Sequence, residues 1–267
     1  MENQFTRPWT NTEIEFLQAN IGKLTYQKMG KFINRSYSSI QSKIRYLPFK
    51  KKVKKHPVNF NFFKTWSPKM SYVLGFIAAD GNICHSGNAH TLHIACDDKD
   101  VIEKIKKVMD YSGPIYHKVR ILNSKTSYSL RICDRVIFND LNRLGITERK
   151  SLTLSPIVNK RFINDFLRGY LDGDGTVYLR NIKYPSKLGV VFYTASKNMA
   201  KFIHSNLQIL LEKTNLSTIQ SRLTKYKNPY YSISLGHKAS CELYSKLYKN
   251  TDLCMNRKRN KFIQGMK

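Results

Sequence analysis

Ten residues of this chain recur in closely similar form: Tyr72-Val73-Leu74-Gly75-Phe76-Ile77-Ala78-Ala79-Asp80-Gly81 and Phe166-Leu167-Arg168-Gly169-Tyr170-Leu171-Asp172-Gly173-Asp174-Gly175. The order of the segments beyond each copy repeats too. After each Asp-Gly come an alternating segment, a second one ending in a lysine (Lys99, Lys197), an amphipathic helix, a hairpin and a last helix. The hairpins correspond as Ser127-Tyr128-Ser129-Leu130 and Tyr230-Tyr231-Ser232-Ile233, and each half closes on an Arg-Lys pair, Arg149-Lys150 and Arg257-Lys258. The pattern predicts an α+β chain with a pseudo-twofold duplicated αββαββα core. Gly75 and Ala79 stand four apart, as do Gly169 and Gly173, so each motif helix carries a small-residue ridge and the two ridges can pack closely. That packing would set Asp80 beside Asp174 at the helix ends, each before a glycine that lets the chain turn sharply into a strand. Asp-Gly is also common turn chemistry, and a plain turn cap is the alternative for either aspartate; its recurrence in matched frames favours a paired site.

Charge supplies the chemistry. Lys and Arg number 46 against 18 Asp and Glu among 267 residues, a net +28. The expected partner is a polyanion, nucleic acid foremost, with an acidic protein or a membrane surface as alternatives. Two adjoining carboxylates repel unless a cation neutralises them, and hard divalent ions such as Mg²⁺ take oxygen ligands, so metal-assisted phosphodiester chemistry is the natural inference. With 41% hydrophobic residues the chain has material for a packed core. No apolar run suffices to span a bilayer and residues 1–10 lack a signal-peptide pattern, giving the expectation of no membrane association and a cytoplasmic place in a bacterial or phage host, or an organelle. The cysteines at 84, 96, 133, 241 and 254 form no C-x-x-C pair, which argues against a disulfide scaffold.

Residues 1–47 read as a small three-helix domain. Thr10-Asn11-Thr12-Glu13 is a capping box, Trp9 and Ile14 can staple it, Leu17 and Ile21 continue the stripe, and Gly22 offers a left-handed stop. A second helix from Thr25 is expected to bury Met29, Phe32 and Ile33, and a third from Ser36 to bury Ile40, Ile44 and Leu47. The third helix presents Tyr37, Ser38, Gln41, Ser42 and Arg45, side chains that either read base edges or form a polar solvent face. The order from Trp9 to Glu13, Leu24-Thr25 and Arg35 to Lys43 resembles Myb-like helix-turn-helix modules, which implies DNA contact through Gln41 and Arg45. Residues 48–66 read as a basic linker: from Lys43 to Lys69 there are nine Lys/Arg and no acid, so this stretch either tracks phosphates or is a solvated tether. The repeats are placed at 67–155 and 156–267.

At the duplicated motif the chain resembles the LAGLIDADG homing endonucleases in their single-chain, two-motif form, over about residues 67–265. Ala78 departs from that pattern where the second copy keeps Asp172. The resemblance implies two saddle-shaped antiparallel sheets astride double-stranded DNA, and Asp80 and Asp174 as catalytic and metal-binding acids. It also implies that the Ala79 and Gly173 carbonyls assist at the metal, and that Mg²⁺, or another divalent cation such as Mn²⁺, is the cofactor. The implied activity is a site-specific double-strand break in a long, asymmetric target by a monomer. Lys150 and Lys258 match the place where the family often has a basic residue near the attacking water; a generic phosphate contact is the alternative. Asp98 and Ser196 match the peripheral positions that hold its water network.

Alternation along the strands sorts the DNA face. Val177 and Leu179 inward leave Thr176, Tyr178 and Arg180 outward; Val119 and Ile121 inward leave Lys118 and Arg120 outward; Arg131, His93, Gln220, Arg222 and Thr224 are assigned by the same rule. Ordinary solvent exposure is the alternative for each. His85, His90 and His93 near Cys84 and Cys96 fit no closed zinc spacing. The rival functions are an intron RNA maturase on the same fold and a non-cleaving DNA-binding regulator, and two retained acids favour the nuclease.

Overall fold

The computed structural model describes residues 7–47, 56–119, 125–180, 187–211, 216, 218–224 and 227–266. The chain divides into two compact units. One holds the N-terminal helices and the segment up to Asn59, together with Asp110–Gly113. Its helices are α1 (Asn11–Asn20), α2 (Tyr26–Ile33) and α3 (Tyr37–Tyr46). The capping box is present: the Glu13 amide donates to the Thr10 hydroxyl at 3.3 Å and the Thr10 amide to the Glu13 carboxylate at 3.0 Å. That carboxylate also accepts two 3.0 Å bonds from Arg35, whose guanidinium lies 4.3 Å from the centre of the Trp9 ring. Hydrogen bonding to Arg35 holds the Glu13 carboxyl down at about 2. Leu17, Met29, Ile40 and Ile44 form the core, and Gly22 takes the left-handed φ of +83° after α1. Phe32, expected inside, is exposed: Met29 and Ile33 define the buried stripe of α2, and Phe32 falls on its flank against the Phe16 ring. Tyr37, Ser38, Gln41, Ser42 and Arg45 all lie on the exposed face of α3.

The second unit spans Phe60–Met109 and Pro114–Lys267. It therefore begins inside the expected linker. Phe62 and Phe63 are buried, and Phe63 and Trp66 line a small cavity with Asp140, Arg143 and Leu144, so 60–66 is packed chain rather than tether, while 48–55 lies outside the described residues. The unit reads α4 (Pro68–Asp80), β1 (Gly81–Ser86), β2 (Ala89–Cys96), α5 (Lys99–Val108), β3 (Tyr116–Val119), β4 (Thr126–Cys133) and α6 (Arg135–Arg143). The order recurs as α7 (Ile163–Asp174), β5 (Thr176–Arg180), β6 (Lys187–Thr194), α8 (Lys197–Leu210), β7 (Gln220–Leu223), β8 (Pro229–Leu235) and α9 (His237–Leu247). A further helix, α10 (Asn256–Gly265), has no α-helical counterpart among the described residues of the first repeat; the stretch around Lys150 forms a 3₁₀ turn, Lys150–Leu152. The two antiparallel sheets have matching orders, β1-β2-β4-β3 and β5-β6-β8-β7.

The motif helices α4 and α7 pack along their length, and two glycines fix how closely. A β-carbon at Gly75 would overlap the Phe166 carbonyl oxygen, and one at Gly169 would overlap that of Tyr72. Each helix thus presses its glycine against the other's backbone in an exchanged, twofold-like contact. One face of each sheet is buried beneath the helices, through Leu92, Ile94, Leu130 and Ile132 in the first and Val177, Leu188, Val190 and Ile233 in the second. Val119, expected inward, is 57% exposed. Its partner is Thr126, at the far end of the β3–β4 ladder, and every position of edge strand β3 is solvent-accessible, so correct parity does not bring burial there. Arg120 and Ile121 lie outside the described residues.

Candidate active site

The ends of α4 and α7 carry the aspartates to one place. A β-carbon on Gly173 would collide with the Ala79 methyl group and come within 3.5 Å of the Asp80 carboxylate, so only a glycine lets the two helix ends meet this closely. Asp80 and Asp174 each reach solvent at this junction, although protein surrounds most of either carboxyl group. Burial first, and the facing Asp174 second, push Asp80 from an ordinary 3.8 up to about 6. Asp174 is also raised, by burial. Both acids sit at helix C-termini, where the backbone dipole adds negative charge, so the junction is a strongly cation-seeking spot in a basic protein.

Lys150 and Lys258 answer that charge, one at the end of each motif helix. The Lys258 ammonium donates to the carbonyls of Leu171, Asp172 and Gly173 at 2.7, 2.6 and 3.2 Å, spending its three protons on the end of α7. Lys150 approaches the Ala79 carbonyl at 3.5 Å, the matching position on α4. Both are buried, and desolvation lowers both, Lys258 to about 8, against the upward pull of nearby carboxylates. Their geometry makes them helix caps and charge partners of the acid pair.

The peripheral positions diverge. Asp98 is gripped by Arg257 of the second repeat through bonds of 2.8 to 3.2 Å, and with Asp97 it lines a small cavity also bordered by Lys125, Thr126 and Tyr128. Ser196 is wholly buried; its hydroxyl accepts from the Met199 amide and donates to the Leu154 carbonyl, so it caps α8. Sequence reasoning missed Asp97, whose charge is felt by Asp80, and Tyr170, whose hydroxyl donates to the Tyr193 carbonyl beside Asp174. Two consecutive acids, Asp97-Asp98, in so basic a chain were the available signal for the first. Also unforeseen was the role of Asp172. Fully buried, its carboxylate accepts from the hydroxyls of Tyr72 and Tyr248 at 2.8 and 2.7 Å and from the Met255 amide at 2.8 Å.

Strand register puts the expected contact residues on the faces turned away from the helices. In the first sheet His93 pairs with Arg131, and Lys118 with Ser127. In the second, Thr176, Tyr178 and Arg180 alternate with Val177 and Leu179, and Gln220 pairs with Ser232 and Arg222 with Tyr230. Thr224 lies just beyond β7 and is exposed. The Tyr178 ring covers Gly189, and the Arg180 guanidinium lies 5.9 Å above that ring with a 3.3 Å bond to its hydroxyl, so this arginine is pre-positioned. Burial and the Arg131 charge lower His93, leaving it neutral at physiological pH.

Two carboxylates with two backbone carbonyls nearby are a hard-oxygen donor set. Each carbonyl retains a lone pair beyond its lysine contact. Among the described residues no three His, Cys, Asp or Glu side chains gather as a metal cage, so water and substrate phosphate would complete any cation's shell, the habit of Mg²⁺. In the first hairpin His85 bonds Glu148 at 2.9 Å and stacks on His90.

Residues 161–248 match the family model of a LAGLIDADG-like domain. An uncharacterized protein of Methanocaldococcus jannaschii is 25% identical over 180 residues, 65% of this chain and 64% of that protein, so the match spans slightly under two thirds of the relative's length. Among solved structures, the homing endonuclease I-WcaI bound to its DNA recognition sequence is similar with a TM-score of 0.52 and 17% identity, over 76% of this chain and 90% of that one. I-DmoI in complex with DNA and Mn gives a TM-score of 0.45 and 14% identity, over 69% of this chain and 98% of that one.

Proposed function

We propose that the chain is a two-motif LAGLIDADG protein, a reading supported by the family match over residues 161–248 and the duplicated motif, and that it is a site-specific endonuclease making divalent-metal-dependent double-strand breaks in a long, asymmetric DNA target. The observation that carries this reading is the meeting of Asp80 and Asp174 where Gly173 lets α4 and α7 touch. A regulator that only bound DNA would gain nothing from two raised carboxylates facing each other, because they cost stability and repel phosphate. In this reading Asp80 and Asp174, with the Ala79 and Gly173 carbonyls, hold Mg²⁺ or Mn²⁺. A bound divalent ion would supply Lewis-acid stabilisation of the attacking and leaving oxygens. Lys150 and Lys258 keep the helix ends together and offset the charge of the acids. The outward sheet residues, among them Arg131, Arg180 and Arg222, set the register of the duplex, with Asp98 held by Arg257 at the margin of the first half. Water adds across a phosphodiester: a new bond forms to phosphorus as the bond to one sugar oxygen breaks, and that oxygen takes a proton. The N-terminal helices would extend the contact through Gln41 and Arg45. One polypeptide supplies both halves of the site, so a monomer suffices, working wherever its target DNA resides, in a bacterial or phage host or an organelle.

The test is incubation with plasmid carrying the uninterrupted insertion site of the gene, in Mg²⁺ and in EDTA. Linear product in Mg²⁺ alone supports the assignment, and intact supercoiled plasmid in both overturns it.

A further inference from the structure

The second unit also has a concavity away from the acid pair. A cavity of about 920 Å³ opens at the other end of α4, lined by Lys69, Lys104, Lys107, Arg168, Lys249 and Arg259, with Asp252 the one acid among the described lining residues. Pro68 at this cavity and Asp80 at the junction are the two ends of one helix, on the order of 18 Å apart at 1.5 Å per residue, so the two sites are separate. Its walls are built differently from an ordinary charged surface. The Arg168 side chain is only 5% exposed, and bonds to Asp165 and to the carbonyls of Leu247 and Leu253 fix it in place. Lys104 is likewise tied, to the Cys254 carbonyl, to Asn256 and to Asp100 at 3.5 Å, and Arg259 pairs with Asp252 at 3.6 Å. The side chains of Lys69, Lys107 and Lys249 are exposed and, among the described residues, carry no hydrogen bond or ion pair. The N-terminus of α4 opens here too and adds positive potential. A floor of fixed, acid-paired cations beneath three exposed, unpaired lysines leaves a net positive cavity suited to phosphate groups. No aromatic side chain lines the cavity among the described residues, so it offers no platform for stacking bases.

We propose that this cavity is a second nucleic-acid site, which grips the phosphodiester backbone of a single strand, without base preference, while a duplex occupies the sheets. A pocket of this size admits successive phosphates of a flexible strand; a duplex is too broad to enter it. The proposal does not depend on whether the acid pair cleaves DNA.

The test uses the full chain saturated with a mixed-sequence duplex, to which a fluorescent oligonucleotide of about a dozen nucleotides is added as RNA or as DNA of the same sequence. Anisotropy should report a ternary complex. The triple variant Lys69→Gln/Lys107→Gln/Lys249→Gln should weaken single-strand binding about tenfold and flatten its log–log salt dependence by about two, because about three phosphate contacts are lost. Its melting temperature and duplex affinity should be unchanged. The pair Arg131→Gln/Arg222→Gln should do the reverse, weakening duplex binding alone; failure of that arm would count against the proposed function and leave the cavity result standing. Tighter binding of RNA than of DNA would identify a strand read through its 2′-hydroxyls, and equal binding a site that reads phosphate only. Displacement of the single strand by duplex, an unaltered single-strand affinity in the triple variant, or a parallel loss of duplex affinity would overturn the proposal.

Discussion

Protonation of Asp80 competes directly with any cation at the helix junction. Its folded value of about 6 lies above the ordinary 3.8, so its contribution to stability is fully present below the ordinary value and is lost as pH rises through about 6. A divalent ion should restore what is lost. The rise in melting temperature on adding Mg²⁺ should therefore be small near pH 5 and larger near pH 8; a pH-independent rise would mean the ion binds elsewhere. Asp80→Asn and Asp174→Asn should each abolish double-strand cleavage in Mg²⁺ while leaving duplex binding largely intact, read by plasmid linearisation alongside a gel-shift assay. Asp172 is a different kind of acid. Removing it in Asp172→Ala strands two buried tyrosine hydroxyls and an amide, and should cost about 3 kcal/mol or more in urea denaturation. The repeated Asp-Gly made Asp80 and Asp174 legible in the sequence, because a local motif placed them at equivalent helix ends. The work of Asp172 was not legible, because its partners Tyr248 and Met255 are distant in the chain and have no pattern that points back to it.

Between elements, the exchanged glycine contact governs whether the acids meet. Gly75→Ala or Gly169→Ala forces a methyl group onto a carbonyl oxygen of the opposing helix, an overpacking that should cost about 1–3 kcal/mol in denaturant titration. Cleavage should fall further than stability alone explains, since the helix ends carrying Asp80 and Asp174 would be pushed apart; full cleavage in either variant would show that the junction tolerates separation. The four-residue spacing of small side chains announced this interface because helical periodicity is strict. Burial on strand β3 was harder to read. Alternation gives parity, but only the span of the covering helices decides whether Val119 is buried. The Arg-Lys pairs show a related limit: Lys150 opens a 3₁₀ turn and Lys258 lies in α10, yet both ammonium groups reach a motif-helix carbonyl. Sequence likeness found the common endpoint and missed that two unlike backbones lead to it.

For the whole molecule, two motif helices in one chain predict a single protein chain per duplex, and light scattering showing two chains per duplex would contradict this. The duplicated architecture was readable from the repeated order of elements, whereas the start of the second unit at Phe60 was not: the linker's charge run masked Phe62 and Phe63, the buried aromatic residues that begin its packed core. A truncation meant to isolate that unit should therefore begin near residue 60. A chain beginning at residue 67 would lose Phe62 and Phe63 from the core and should melt lower in calorimetry. The two repeats are also unequal in how firmly they are fastened. Asp172 ties α7 to Tyr72 of α4, Tyr248 and Met255, and the first repeat has only Ala78 at the matching place. Local opening should therefore begin in the first repeat: amide hydrogens of α5 and α6 should exchange with deuterium before those of α7 and α9, making the molecule's two look-alike halves kinetically distinguishable even though their strand orders match.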